Sequence, residues 1–400
     1  MKKSSAAIID PTVPDREEMI KRVAALVPNL IERAEQVEKT RTIHPDTVQD
    51  FWDTQLWSIM KPKRYGGLEL DYAMLVDTTD HIARGCASTS WIFANTAIHD
   101  WMLAMWPPQG QDTVWKDNPK ALMASSLIPN AGRAMPVAGG YRIAGRWPYC
   151  SGIDVSDWMM MAAMIQEEQS QRPIWLVVPR AEFKEIDTWH VSGLIGTGSR
   201  DVRCEDVFVP EFMTLDPRMA RGGPTPGASH NPALVYQLPV LGLFPHLLVG
   251  PMVGIAQGAY DDFVHEVRER VSTYNASKLS EHTQTQMKVA EAGTLIHAAR
   301  LLAHDNIREA ERIAESGRQP TVEEKIRWRR DGAFAAQNCI KSIQILQSAI
   351  GAAGNYRSHP FERRFRDMNA AAGQIQINFD INGAEFGRVE LGLELKNKAI

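Results

Sequence analysis

The chain has 400 residues, 44% of them hydrophobic and 23% charged, with a formal net charge of −4. That length supports large cores in two or three domains, and mild acidity without a long basic run speaks against a nucleic-acid or membrane-surface partner. The opening MKKSSAAIIDPTVPDREE lacks the apolar core of a signal peptide, no stretch reaches transmembrane length, and four scattered cysteines without CxxC spacing (Cys86, Cys150, Cys204, Cys339) fit reduced thiols in a cytoplasmic protein with no metal site.

Residues 16–105 read as helical. REEMIKRVAALVPNLIERAEQVEKTR puts Ile20, Val23, Leu26, Leu30 and Ile31 on one stripe. HPDTVQDFWDTQLWSI is a second helix with Pro45 near its start, and KPKRYGGLEL is a turn. DYAMLVDTTDHIARG and STSWIFANTAIHDWMLAMW are the next two helices; Ser88 is the expected N-cap of the latter, and Pro107-Pro108 stops it. From 121 to 210, short apolar or alternating segments separated by Gly, Pro and Asn predict a small sheet or barrel. DPRMARGGPTPGASHNP, 216–232, is too rich in proline and glycine for a regular element. It is expected to be a mobile loop, either a passive linker or a lid over the substrate entrance.

From about 238 the helical period returns, with one stripe of Val289, Ala292, Ile296, Ala299 and Leu302 and another of Ile340, Ile343, Leu346 and Ile350. Thr321, with Glu324 three residues later, caps the start of the second helix, and a final helix is expected over roughly 366–390. The chain thus divides into a helical domain (1–120), a central β-domain (121–215), a Gly/Pro-rich loop (216–237) and a helical bundle (238–400).

No GxGxxG, GxxxxGK[ST], GxSxG or HExxH signature is present, so candidates come from polar clusters in unexpected places. His99 stands in an apolar helix beside Asp100 and Trp101, a position more often structural than functional. Ser125 and Ser126 end an apolar strand before a Pro-Asn-Ala-Gly turn, which suits either binding or turn chemistry. In GRWPYCSGIDVSDWMMMAA, the buried strand Trp158–Ala163 is prefaced by two aromatics, a serine and a glycine. Such a preface suits close approach of backbone and a small hydroxyl to a flat, partly polar object. In SGLIGTGSRDVRCEDVFVP, Gly193, Gly196 and Gly198 keep the connection thin, while Thr197 and Ser199 offer hydroxyls. Finally, Gly351 and Gly354 followed by Arg357, Arg363, Arg364 and Arg366 suit a phosphate, or equally a capped helix end with surface ion pairs.

Taken together, the order of domains resembles the acyl-CoA dehydrogenase fold, mainly α with a small central β-domain. Four ordered stretches resemble the reduced-flavin-dependent two-component monooxygenases, the family of the 4-hydroxyphenylacetate 3-hydroxylase oxygenase component: STSWIFANTAIHDWMLAMWP, GRWPYCSGIDVSDW, DTWHVSGLIGTGSRDVRCEDVFVPE and RSHPFERRFRDMNAAA. The resemblance implies a homotetramer that takes reduced flavin (FMNH2 or FADH2) from a separate NAD(P)H:flavin reductase, and O2, to hydroxylate a small aromatic or indole-like substrate through a C4a-hydroperoxide. It places Ser151 and Gly152 at the flavin N5 edge, Trp147 or Tyr149 as a wall, and Thr197 and Ser199 in the cofactor site. Ser126 would lie near flavin or substrate, with His99, Trp101 and Gln374 on the substrate. Gly351, Gly354 and Arg366 would complete the flavin phosphate site of a neighbouring subunit.

Two departures from the family pattern stand out: Gln374 where many relatives carry a histidine, and Ile195 where a basic residue is frequent. Gln374 leaves only an amide, which cannot take up a proton. The same fold also serves acyl-CoA dehydrogenases, which need a carboxylate base. Neither GQIQINFD nor residues 238–262 contains a glutamate for that role. A non-enzymatic helical scaffold would account for the helices and tryptophans but not for four polar clusters at matching separations.

Overall fold

A computed structural model describes residues 13–166, 171–272 and 276–396; most of the opening stretch, 1–12, lies outside the described residues. The helical N-terminal part comprises α1 (Arg16–Thr40), α2 (Pro45–Asp53), α3 (Tyr72–Gly85), α4 (Ala87–Leu103) and α5 (Pro108–Trp115). The side chains of Asp15 and Asp71 accept the backbone N–H groups of Glu18 and Met74, each at 2.8 Å, and so cap α1 and α3. Ser88 is not the cap of α4. Cys86 is at once the C-cap of α3 and the N-cap of α4, and Ser88 is buried inside the helix, where a side chain on Gly196 would meet its Cβ at 3.0 Å.

The sheet is formed by β1 (Met123–Ser126), β2 (Gly132–Val137), β3 (Gly140–Cys150), β4 (Trp158–Gln166), β5 (Gln171–Pro179), β6 (Lys184–Ile186), β7 (Arg200–Pro210) and β8 (Thr214–Leu215). Its order is β6-β7-β3-β2-β4-β5-β8, with β1 parallel to β4 in the register Ser126↔Met161. Two register shifts interrupt the β3–β7 pairing, the second between Trp147 and Cys150. Pro148 withholds an N–H there, and Tyr149 takes φ +64°, so the strand bulges and turns its tip outward.

The C-terminal part holds α6 (Val240–Glu269), α7 (Thr283–Glu315), α8 (Val322–Ile350), α9 (Pro360–Ala371) and α10 (Phe379–Glu390). Thr321 and Glu324 make the reciprocal cap expected of them. The expected single final helix is two, because Gly373 and a short 3-10 turn over Ile375–Ile377 separate α9 from α10. By length and composition α6 could cross a membrane, contrary to the sequence expectation that no stretch could, yet 83% of its most apolar window is buried: it is the central helix of the core. Gly250 and Gly254 let it approach α3, since a Cβ at Gly254 would lie 2.1 Å from the Asp80 carbonyl oxygen.

The 216–232 segment is irregular apart from a 3-10 turn at Pro217–Ala220, but it is tied down and not free. Gly227 N–H donates to Met105 O at 3.0 Å, and Asn231 Nδ2 donates to Ala104 O and to Gln111 Oε1, each at 2.8 Å. The segment therefore straps the α4–α5 turn. All four cysteines are free thiols, and all are buried.

Candidate active site

One face of α4 forms the floor of the site. Residues three and four apart share a helix face, and Ser88, Ile92, Thr96 and His99 follow that spacing. Ser88 faces Gly196, and both Ile92 and Thr96 face Gly152. His99 Nδ1 lies 2.7 Å from the carbonyl oxygen of Met123 in β1. A carbonyl only accepts, so Nδ1 carries the proton and Nε2 presents a lone pair. That Nε2 is buried and has no hydrogen-bond partner among the described residues. Burial lowers the imidazole pKa to about 4, against the opposing effect of the Met123 carbonyl, so the ring is neutral near pH 7. Ser126 Oγ, three residues along β1 from Met123, and Thr96 Oγ1 are likewise buried without a partner among the described residues. Native interiors pair their buried polar atoms almost without exception. Three such atoms lie where α4 meets β1 and Gly152, which makes this junction the candidate ligand site.

The second wall comes from the bulge after β3. Tyr149 is 64% exposed and meets the Trp189 ring edge-on, with centroids 6.4 Å apart. An exposed aromatic held at positive φ stores backbone strain of a kind that gathers at functional sites. Behind it, Ser151 Oγ lies 2.8 Å from Ser199 Oγ, which lies 2.7 Å from Thr197 Oγ1, which donates to the Leu194 carbonyl at 2.8 Å. Gly152, at φ +74°, donates its N–H to Thr197 O at 3.1 Å, so that N–H is already engaged and does not face a ligand. A Cβ at Gly152 would stand 2.9 Å from Ile92 Cγ2 and 3.3 Å from Thr96 Oγ1. Leu194, at φ +51°, is fixed by its N–H donating to Asp367 Oδ1 at 2.6 Å. Burial pushes that carboxyl up to about 6, and the Leu194 N–H opposes the shift.

The fold thus gathers His99, Ser126, Ser151, Gly152, Thr197 and Ser199 around one junction of α4, β1 and the two loops. Thr197 and Ser199 stand behind Ser151 and reach the site through it. Four other expectations are corrected. Trp147 is no wall: its indole is fully buried, donates Nε1–H to Ala162 O at 2.7 Å and covers the bare faces of Gly132 and Gly145. Trp101 follows His99 by two residues, about 200° around the helix, so it faces away; its Nε1–H donates to Val235 O at 2.6 Å. The Arg366 guanidinium already holds two carboxylates, Glu38 and Glu362, and the Ser192 carbonyl, all at 2.7 Å, so the cluster is net negative and repels a phosphate. It anchors the loop before Leu194 instead. Gln374 turns its side-chain oxygen onto the N–H of Gln376 and caps the 375–377 turn.

Gly351 and Gly354 lie in the turn between α8 and α9, Gly351 exposed at φ +71° and Gly354 buried against Ile350. Sequence reasoning missed Thr96, which gives no signal by itself; its place three residues before His99 was the available clue. A cavity of about 870 Å³ lies elsewhere, on the outer face of β2, β3 and β7. Three of its arginines, Arg142, Arg146 and Arg203, are paired with Asp206, Asp201 and Glu205, and it is not lined by His99, Ser126 or Ser151.

Residues 14–115 match the family described as acyl-CoA dehydrogenase, N-terminal domain, and residues 246–379 match acyl-CoA dehydrogenase, C-terminal domain. The chain is 31% identical over 391 residues to the FADH(2)-dependent resorcinol hydroxylase, oxygenase component, of Rhizobium sp. (strain MTP-10005), covering 95% of each chain. Among solved structures it is similar to the 3-HSA hydroxylase from Rhodococcus sp. RHA1, with a TM-score of 0.92 and 30% identity over 96% of this chain and 100% of that one. It is also similar to XiaF from Streptomyces sp. in complex with FADH2 and glycerol, with a TM-score of 0.90 and 25% identity over 96% and 98% of the two chains.

Proposed function

The chain belongs to the oxygenase components of the two-component, reduced-flavin-dependent monooxygenases built on the acyl-CoA dehydrogenase fold, and from that premise we propose that it inserts one atom of O2 into a small aromatic substrate bearing a hydroxyl. The residues present fit a flavin. Tyr149 offers a flat exposed wall and Ser151 a hydroxyl, while Gly152 lets the bulge pack closely on Ile92 and Thr96 of α4. Thr96 Oγ1 is a buried polar atom still seeking a partner. The chemistry supplied by bound reduced flavin is two-electron activation of O2. We read the flavin as FADH2, in line with the printed names of the resorcinol hydroxylase and the XiaF complex, and as delivered by a separate flavin reductase, since two-component systems require one.

The chain's own residues then have defined tasks. His99 Nε2 accepts a hydrogen bond from the substrate hydroxyl, because its lone pair is the free one and its neutral state persists to low pH. Ser126 Oγ–H donates to the oxygen that His99 receives from. A hydroxyl satisfies both partners at once, whereas an indole N–H satisfies only His99, so phenols are the preferred class. α4, β1 and the two loops exclude water from this pair, which keeps their hydrogen bonds strong. Gly351 and Gly354, without Arg366, serve the flavin phosphate of a neighbouring copy in a homotetramer, and the enzyme works in the cytoplasm. The division at 1–120, 121–215, 216–237 and 238–400 assigns floor, flavin wall, strap and assembly to separate parts.

The observation that carries this reading is the buried, unpartnered Nε2 of His99, held by Met123 on the same short strand that ends in the unpartnered Ser126. Turnover with reduced FAD, 18O2 and a panel of phenols and indoles tests it. A phenolic product heavier by one labelled oxygen supports it; consumption of reduced flavin that yields hydrogen peroxide alone, with every phenol, overturns it.

A further inference from the structure

The hydroxyl chain behind Ser151 has only one arrangement of protons. It contains four oxygens in a row: Ser151 Oγ, Ser199 Oγ, Thr197 Oγ1 and the Leu194 carbonyl, joined by contacts of 2.8, 2.7 and 2.8 Å. Each hydroxyl has one proton, and a carbonyl has none. The last contact is a hydrogen bond only if Thr197 donates to Leu194 O. Ser199 must then donate to Thr197, and Ser151 must donate to Ser199. Any other arrangement leaves one of the three contacts without a proton, with two lone pairs pressed together. The terminal acceptor is itself fixed: Leu194 O also receives Thr197 N–H at 3.1 Å and Trp189 Nε1–H at 3.1 Å. Ser151, Thr197 and Ser199 are all buried, so bulk water does not scramble the order. The outcome is a Ser151 hydroxyl whose proton is spent inward and whose lone pairs alone face the site.

We propose that Thr197 and Ser199, acting through this hydroxyl chain, set how strongly the site prefers the reduced over the oxidised flavin that this family discriminates. The inference rests on the reading that Ser151 lies beside flavin N5. Reduced flavin carries a hydrogen on N5 and donates; oxidised flavin has a lone pair there and can only accept. Ser151 held as an acceptor bonds the first and opposes the second. To donate to an oxidised ring, Ser151 would have to draw the protons of Ser199 and Thr197 outward, which strips the Thr197–Leu194 contact of its hydrogen bond. One hydrogen bond's difference is about tenfold in a dissociation constant. An oxygenase fed by diffusion gains directly from this bias, since spent oxidised flavin leaves and reduced flavin takes its place. Thr197 and Ser199 are positioning residues here: they act through Ser151 and need not touch the ring.

Anaerobic titration with reduced FAD and aerobic titration with oxidised FAD, followed by flavin fluorescence, measure the two affinities directly without turnover. Ser199→Ala releases the Ser151 proton. Oxidised FAD is then expected to bind about tenfold more tightly while reduced FAD changes little, and the potential of bound flavin falls by about 30 mV for this two-electron couple. Thr197→Val, which removes the proton at the far end, lowers the same ratio, and Thr197→Ser restores it with thermal stability as the control for folding. If Ser151→Ala alters flavin affinity but Ser199→Ala and Thr197→Val keep the wild-type ratio, the chain does not orient Ser151 and the inference fails. If Ser151→Ala leaves both affinities untouched, the placement of Ser151 beside N5 fails, and the inference with it.

Discussion

Acidifying the protein should cost it the neutral state of His99, and the cost can be worked from the site. The imidazole titrates near 6.5 when exposed and at about 4 in the fold, where burial disfavours its charge. Between those values the unfolded chain binds a proton that the folded chain refuses. Stability linked to His99 is therefore fully present above pH 6.5 and is lost as pH falls toward 4. From pH 7 down to 4.5 the loss is roughly 2–3 kcal/mol. His246, buried in the bundle, is shifted to about 4 as well, so the wild-type slope contains both histidines. Comparison with His99→Gln, which keeps a donor for Met123 O, isolates the His99 share. Denaturant midpoints measured from pH 4.5 to 7.5 should show the wild type losing roughly 2–3 kcal/mol more than the variant on acidification. The same shift predicts that product yield, as far as His99 governs it, stays level down to about pH 5 and falls near 4. Parallel stability curves, together with a yield that falls through pH 6.5, would mean that His99 is hydrated in the folded protein and that its free lone pair is not reserved for substrate.

Ser126→Ala should leave thermal stability nearly unchanged, since its hydroxyl bonds nothing among the described residues, and should weaken phenol binding by about tenfold, read as a rise in the substrate dissociation constant. Trp147→Phe should do the reverse. It loses the bond to Ala162 O and leaves a void over Gly132 and Gly145, so a drop of about 2–3 kcal/mol in stability should come with unaltered flavin affinity; weakened flavin binding in a stable variant would return Trp147 to the wall. Asn231→Ala removes two hydrogen bonds from the strap and should cost about 1–3 kcal/mol, measured by thermal melts. Wild-type stability with increased peroxide leakage would instead favour a lid.

Sequence pattern reached most of the architecture because periodicity and capping are local. The stripe of α7 and the Thr321–Glu324 cap depend on residues within a turn or two of each other. His99, Ser126, Ser151 and Ser199 were each readable as candidates, since each lies in a small polar cluster that interrupts an apolar run. What was not legible is direction. Trp147 and Trp101 sit inside the same clusters, yet each points into a core, and only the register of β3 and the turn of α4 decide that. Arg366 is unreadable for another reason: one of its carboxylates, Glu38, comes from α1 at the opposite end of the chain. The strap at 216–232 misled because composition describes what a segment can form alone, while Asn231 and Gly227 take their partners from the α4–α5 turn. The helix break at Gly373 was weakly signalled, by one glycine inside an otherwise helical run.

The burial of all four thiols has a bearing on how long such an enzyme survives its own chemistry. Monooxygenases of this kind shed hydrogen peroxide whenever oxygen activation and substrate arrival fall out of step. Peroxide attacks sulfur as thiolate, not as thiol. Burial raises the pKa of Cys86, Cys150 and Cys339, and brings that of Cys204 to about 12. At neutral pH the described fold therefore presents almost no thiolate to an oxidant, and this includes Cys150, one residue from Ser151. Damage that does accumulate should begin elsewhere, at the exposed thioethers of Met135, Met219 and Met287, whose loss leaves the core intact.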